Sequence, residues 1–232
     1  VQSLYPNSVW EAGSYTAADA VYFIPTQSNG VVSANRYTIF ADTITANEAR
    51  PSESILWVGW DNPATAYAGS STLSFVTGDG PNSLEITPAP TSWGWGVIAA
   101  LQTTADDLSQ FASTGKLNFS IKTTYPGKLE FGFLTGTTTA GSAYDVYLAV
   151  DPANNTYGYV NDGTWRNVSI PISAITPRGA MAYGMTDPNK SKLDLTKVTN
   201  PLVIADRYAN TGKATNLNDR TKIYIDNVYW SK

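Results

Sequence analysis

Apolar and polar residues alternate with a period of two along most of the chain, as expected of strands with one buried face. The pattern predicts strands at Arg36–Ile44, Ile55–Trp60, Ser83–Thr87, Trp95–Leu101, Lys116–Thr124, Lys128–Thr135, Ala143–Val150, Tyr157–Val160, Trp165–Ile170, Leu202–Tyr208 and Lys222–Trp230. In Lys116–Thr124, Leu117, Phe119 and Ile121 face one way and Asn118, Ser120 and Lys122 the other. In Lys222–Trp230 both faces carry bulky residues, which predicts an inner strand. Turn signals separate the runs: Gly78-Asp79-Gly80-Pro81, Tyr125-Pro126-Gly127-Lys128, Asp151-Pro152, Asn161-Asp162-Gly163 and Thr211-Gly212. This cadence predicts an all-β fold, an antiparallel β-sandwich of jelly-roll type. One or two short helical turns interrupt it: Ala105–Phe111, capped by Thr104 with Asp106 and Asp107 in its first turn, and another near Asp194. Residues 1–35 read as a separate N-terminal segment, a linker or extra strands, ahead of a sandwich over 36–232.

Composition sharpens this picture. The 232 residues are 42% hydrophobic and 12% aromatic but only 15% charged, so Thr, Ser and Asn must supply the polar surface. The net charge is −4, and no window of four holds more than two Lys or Arg, which argues against nucleic acid as a partner. No apolar run approaches the length of a membrane-spanning helix. The chain has no His and no Cys. Every Ser-His-Asp or Cys-His mechanism, every His-ligated metal and every disulfide is therefore excluded. Carboxylates, Lys, Tyr, Ser or an oxygen-bound cation such as calcium remain. Glu occurs five times, at Glu11, Glu48, Glu53, Glu85 and Glu130, without the E-x-D-x-x-E strand of jelly-roll glucanases. Glu130 reads as an ordinary solvent-face position.

The seven Trp are the more informative chemistry. In Trp93-Gly94-Trp95-Gly96 the two indoles would project to one side of a strand, able to stack on successive sugar rings or to fill the core. Trp60, Asp61 and Tyr67 form a second candidate group where a strand ends at Trp60-Asp61-Asn62-Pro63, while Trp57, Trp165 and Trp230 read as packing residues. Tyr144 follows a Gly/Thr-rich loop and is a further ligand candidate; Tyr147 lies on the opposite strand face. Arg207, ending an apolar strand, either pairs with a carboxylate such as Asp206 or forks onto ligand hydroxyls or a sulfate. Asp226 in the last strand and Asp42 in the first each need a partner if buried. A shared calcium with backbone carbonyls, an Arg, or backbone amides would serve.

Ile223-Tyr224-Ile225-Asp226-Asn227-Val228-Tyr229-Trp230 resembles the closing strand of galactose-binding-like jelly rolls. Asn161–Ser173, a turn, a Trp and then Val168-Ser169-Ile170-Pro171-Ile172, is similar to another of their strands. Trp93–Gly96, Asp107-Leu108-Ser109 and Leu117–Lys122 keep the family's order. The likeness spans about residues 36–230, and such domains serve as carbohydrate-binding modules appended to secreted bacterial β-glucanases and other polysaccharidases, including those acting on algal glycans. It implies non-catalytic binding of a neutral β-glucan or an agar-type galactan, and a catalytic domain in the same polypeptide. It also implies a secreted or cell-surface location, a monomer, and a structural calcium on Asp226. A jelly-roll lyase or hydrolase, and a structural or adhesive surface module, are the competing expectations.

Overall fold

A computed structural model describes residues 34–44, 48–60, 72–76, 82–88, 95–138, 143–177, 179–180, 193–206 and 221–232, with backbone alone at 60, 72–75 and 143. Strands β1 (Arg36–Phe40), β3 (Thr72–Val76), β4 (Ser83–Thr87), β6 (Lys116–Thr123), β9 (Arg166–Pro171) and β11 (Ile223–Ser231) form one sheet. Its order is β3-β4-β11-β6-β9. β4 pairs with the first half of β11 and β1 with the second half, on the edge away from β6. A second sheet runs β2-β5-β10-β7-β8, from β2 (Leu56–Trp60), β5 (Trp95–Ala100), β7 (Leu129–Gly136), β8 (Ala143–Val150) and β10 (Val198–Asp206). All these strand pairs are antiparallel. The sandwich read from the alternation is the architecture observed.

The buried set follows strand parity. Leu117, Phe119 and Ile121 of β6, Val168 and Ile170 of β9, and Ile223, Ile225, Val228 and Trp230 of β11 face Val97, Phe131, Phe133, Val146, Leu202 and Ile204 of the other sheet. Fully burying one such side chain is worth about 1.5–3 kcal/mol. Two aromatic contacts bridge the layers: Phe119–Phe131 at 4.9 Å between centroids and Phe133–Trp230 at 5.0 Å. Each end of the sandwich is latched by buried hydrogen bonds. At one end Tyr37 Oη donates to Asp106 Oδ2 (2.6 Å) and Trp230 Nε1 to the Pro201 carbonyl (2.9 Å). At the same end Lys232 N donates to Asn35 O (3.0 Å), so the residue before β1 and the residue after β11 lie side by side. At the other end Trp95 Nε1 donates to Tyr125 Oη (2.9 Å), which donates to Asp206 Oδ2 (2.9 Å).

Several expectations change. Tyr157–Val160 is not a strand: Thr156–Gly158 is a 3-10 turn, with Asn155 and Tyr157 at φ of 46° and 60°. The helix expected over 105–111 shrinks to a 3-10 turn at Ser109–Phe111, because Asp106 is held in a bridge to Val198 and cannot coil. Asp107 Oδ1, not Thr104, takes the Ser109 N–H (2.9 Å). Near Asp194 there is a side-chain-capped turn, with Asp194 Oδ1 accepting from Thr196 N (3.0 Å). The α-helical turn α1 (Ile172–Ile175) and strand β3 were not expected.

Candidate functional site

The two outer faces differ in chemistry. On the six-stranded sheet the outward positions are Asn118, Ser120 and Lys122 of β6, Asn167 and Ser169 of β9, and Tyr224 and Tyr229 of β11, a polar surface typical of a solvated antiparallel sheet. The five-stranded sheet departs from that rule. Its register aligns Val58, Ile98, Val203, Gly132 and Tyr147 in one outward row, with Trp60, Gly96, Ala205, Glu130 and Ala149 in the next. Leu56 pairs with Ala100 beyond them and is 38% exposed, while Val58, Ile98 and Leu134 are half-buried. The centre of this face is shallow because Gly96, Ala205 and Gly132 carry little or no side chain. Tyr147 (8% exposed) and Glu130 (5%) lie deep in its floor, so Glu130 does not hold the solvent-facing place its strand position suggested. Val203 (2%) and Ala205 (0%) of these rows are buried, so the part-exposed apolar surface of this face, among the described residues, is Leu56, Val58, Ile98 and Leu134.

One end of this sheet gathers much of the candidate chemistry. Trp60 closes β2 opposite Gly96; Trp95 opens β5 opposite Asp206, the last residue of β10. Asp61 follows Trp60, Arg207 follows Asp206, and Trp93 precedes Trp95 by two in the chain; with Tyr67, these three lie outside the described residues, as does the Trp60 side chain. The expectation for Trp95 is corrected. Its indole is 2% exposed, packs edge-on against Tyr125 at 5.6 Å, and spends its N–H on that hydroxyl, so no ring face is left for a ligand. Gly96, not Trp95, holds the outward position. Burial, reinforced by the neighbouring Asp206 carboxylate, pushes the Tyr125 phenol well above its ordinary range. This buried relay closes the end of the sandwich where β5 opens and β10 ends.

Tyr144 is half-buried. It pairs with Thr135 in an inward row and packs against the core, because parity in β8 gives the outward place to Tyr147. The part-exposed apolar positions Leu56, Val58, Ile98 and Leu134, with the buried Val203 between them, were not among the expected ligand residues. Their signal was present: Leu56-Trp57-Val58, Val97-Ile98-Ala99 and Leu202-Val203-Ile204-Ala205 are apolar in both parities, unlike the alternating strands of the other sheet.

Asp226 and Asp42 meet at one corner, tied to consecutive residues at the start of β4. Asn82 N donates to Asp42 Oδ1 (3.2 Å) and Ser83 Oγ to Asp226 Oδ2 (3.2 Å). Asp226 is fully buried and also accepts from Asn227 N (2.6 Å). Backbone and hydroxyl donors thus meet part of the need identified in the sequence. Among the described residues no group of three or more Asp, Glu, His or Cys is placed to hold a metal ion. The two carboxylates are hard oxygen donors of the kind calcium takes, and such a site would be completed by carbonyls and water.

The chain folds as a two-sheet antiparallel β-sandwich of jelly-roll class. The model of the family "Carbohydrate binding domain 30" matches residues 35–232, and the chain belongs to that family. It is a carbohydrate-binding module, and the family is non-catalytic. Among solved structures it is similar to the family 30 carbohydrate-binding module of a cellulosomal cellulase of Clostridium thermocellum. The two are 23% identical over 85% of this chain and 97% of that one, with a TM-score of 0.52. It is also similar to the family 11 carbohydrate-binding module from Clostridium thermocellum in complex with a β-1,3-1,4-mixed-linked tetrasaccharide. That pair is 17% identical over 75% of this chain and 88% of that one, with a TM-score of 0.51. No curated protein matches the chain.

Proposed function

We propose that the chain binds a neutral β-glucan or agar-type galactan along the outer face of the five-stranded sheet. In this reading it acts as a monomeric accessory module of a secreted or cell-surface bacterial enzyme, with the catalytic domain in the same polypeptide. The observation that carries the reading is the apolar, low-centred face of β2, β5, β10, β7 and β8, with Trp60 at its edge. Sugar rings offer an apolar C–H face, and a shallow sheet surface can accept several in a row. Trp60 and Trp93 would supply stacking platforms, and Asp61, Tyr67 and Arg207 hydrogen bonds to hydroxyls. The net charge of −4 favours an uncharged glycan over an anionic one. A largely pre-formed sheet surface limits the ordering cost, and micromolar to millimolar affinity, about −8 to −4 kcal/mol, is expected. Asp226 with Asp42 would hold a structural calcium.

The test uses Trp60→Ala and Trp93→Ala in affinity electrophoresis on mixed-linked β-glucan, cellulose derivatives and agarose, with circular dichroism to confirm the fold. Loss of one stacking platform, ~1–2 kcal/mol, weakens retention about tenfold. Unchanged migration of both variants on the retaining glycan would move the site off this face. Trp95→Ala does not serve here, since removing a core indole costs about 3–5 kcal/mol of stability.

A further inference from the structure

The polar face of the six-stranded sheet is not flat. Between β1, β11, β6 and β9 a trough of about 380 Å³ is lined by Arg36, Asn118, Ser120, Asn167, Ser169, Asn227 and Tyr229, with Phe119 and Val168 beneath. Its size lies at the low end of the ~300–1,000 Å³ range of small-molecule sites. Short amides and hydroxyls occupy the places where long charged side chains would normally cover a solvated strand face.

Two built features make it more than a gap. The pairing of β11 with β6 slips between Asp226 and Tyr229, and within that bulge Asn227 adopts φ of 49°, a left-handed conformation that Asn tolerates better than most residues. The trough therefore has an Asn amide at its lip. The second feature is a wall. The Arg36 guanidinium lies 3.6 Å from the centroid of the Tyr229 ring, and its Nε is held by Thr38 Oγ1 (3.0 Å) and Glu48 Oε2 (3.4 Å). The floor is pre-ordered by cross-strand pairs: Ser120 Oγ donates to Asn167 Oδ1 (3.0 Å) and Ser169 Oγ to Asn118 Oδ1 (2.8 Å). Among the described residues the side-chain amide of Asn227, the Nδ2 of Asn167, the Tyr229 hydroxyl and the terminal nitrogens of Arg36 make no hydrogen bond.

These free groups are donors and acceptors in close array. The one full charge among them is balanced by Glu48, which disfavours an anionic ligand. We propose that the trough is a second saccharide site, on the face opposite the first, taking a neutral, hydroxyl-rich sugar unit through amide and hydroxyl hydrogen bonds. Recognition here rests on hydrogen bonding, with the Tyr229 ring already covered by Arg36, so this site is the weaker and more stereoselective of the two.

The experiment is a ¹⁵N NMR titration of the full chain with β-1,4-gluco, β-1,3-gluco and agaro tetrasaccharides, up to about 10 mM, where a weak site saturates. The expected result is saturable shifts at Asn118, Ser120, Asn167, Asn227 and Tyr229. In the double variant Asn167→Ala with Asn227→Gly, which keeps the positive φ, those shifts need at least about fivefold more ligand, while shifts at Val58, Ile98 and Val203 are unchanged. Matching amide spectra away from the trough confirm the variant's fold; Asn227→Gly alone replaces it if it does not fold. Trough shifts absent with all three sugars, or undiminished in the variant, overturn the proposal. Because the two faces are read separately, silence in the Val58–Ile98–Val203 row with a responding trough would sink the first reading and leave this one standing.

Discussion

At the scale of single residues, three sealed phenols dominate the electrostatics. Tyr37, Tyr125 and Tyr159 are buried, and desolvation is the main force raising each above the ordinary tyrosine range, with Asp106, Asp206 and Asp151 respectively adding to it. Among the described residues the Tyr159 hydroxyl has no hydrogen-bond partner. A raised pKa leaves stability intact below the unfolded value near pH 10 and erodes it as pH climbs toward the folded values. Stability should therefore hold to about pH 9 and then fall by ~1.4 kcal/mol per pH unit for each of the three. Urea melts from pH 8 to about 11.5, with absorbance at 295 nm, check this; three phenols ionising near pH 10 in the folded state would refute the burial argument. Residue parity also explains the Trp95 correction. The sequence showed that Trp95 and Gly96 must point to opposite faces, but only pairing with β10 and β2 decides which face is inside.

Among the elements, β6 was readable nearly to the residue, from Lys116 to Thr123, because it is buried on one face and polar on the other. The sheet that carries the proposed site was harder. Apolar residues in both parities still mark β2, β5 and β10 as strands, but they hide which side is open. β3 carries a Leu73/Phe75 alternation in its sequence although no strand is expected there, and 157–160 reads as a strand although Gly158 at φ of 88° ends any extended run. Pairing of β7 with β8 depends on one missing side chain. A Cβ at Gly132 would sit 1.9 Å from the Val146 carbonyl oxygen, which is backbone and cannot swing aside. Gly132→Ala should cost about 1–3 kcal/mol in chemical denaturation, the usual toll of overpacking, and should displace the Tyr147 position next to it. An unchanged midpoint would show that these strands sit further apart than described.

For the whole molecule, the alternation and turn cadence gave the sandwich, since layer architecture follows from which residues must be buried. The proposed binding face was only partly legible: Trp60 stood out by its place where a strand ends at a turn, whereas the floor beside it emerges only when distant strands are brought into register. The calcium proposal belongs at this scale too, because Asp42 and Asp226 come from opposite ends of the sandwich sequence. Calcium at about 100 times its dissociation constant would add about 2.7 kcal/mol. The melting temperature should then rise by roughly 5–11 °C and fall back with EGTA, followed by calorimetry. A melt indifferent to both reagents removes the ion and leaves Asp226 held by Ser83 and Asn227.

The hydrogen bond from Lys232 to Asn35 joins the strand-opening and strand-closing residues of the sandwich at the end marked by Trp230 and Pro201. A probe attached at Asn35 or at Lys232 would therefore report on the same corner of the sandwich. That corner lies at the opposite end of the sandwich from the Trp95–Tyr125–Asp206 relay.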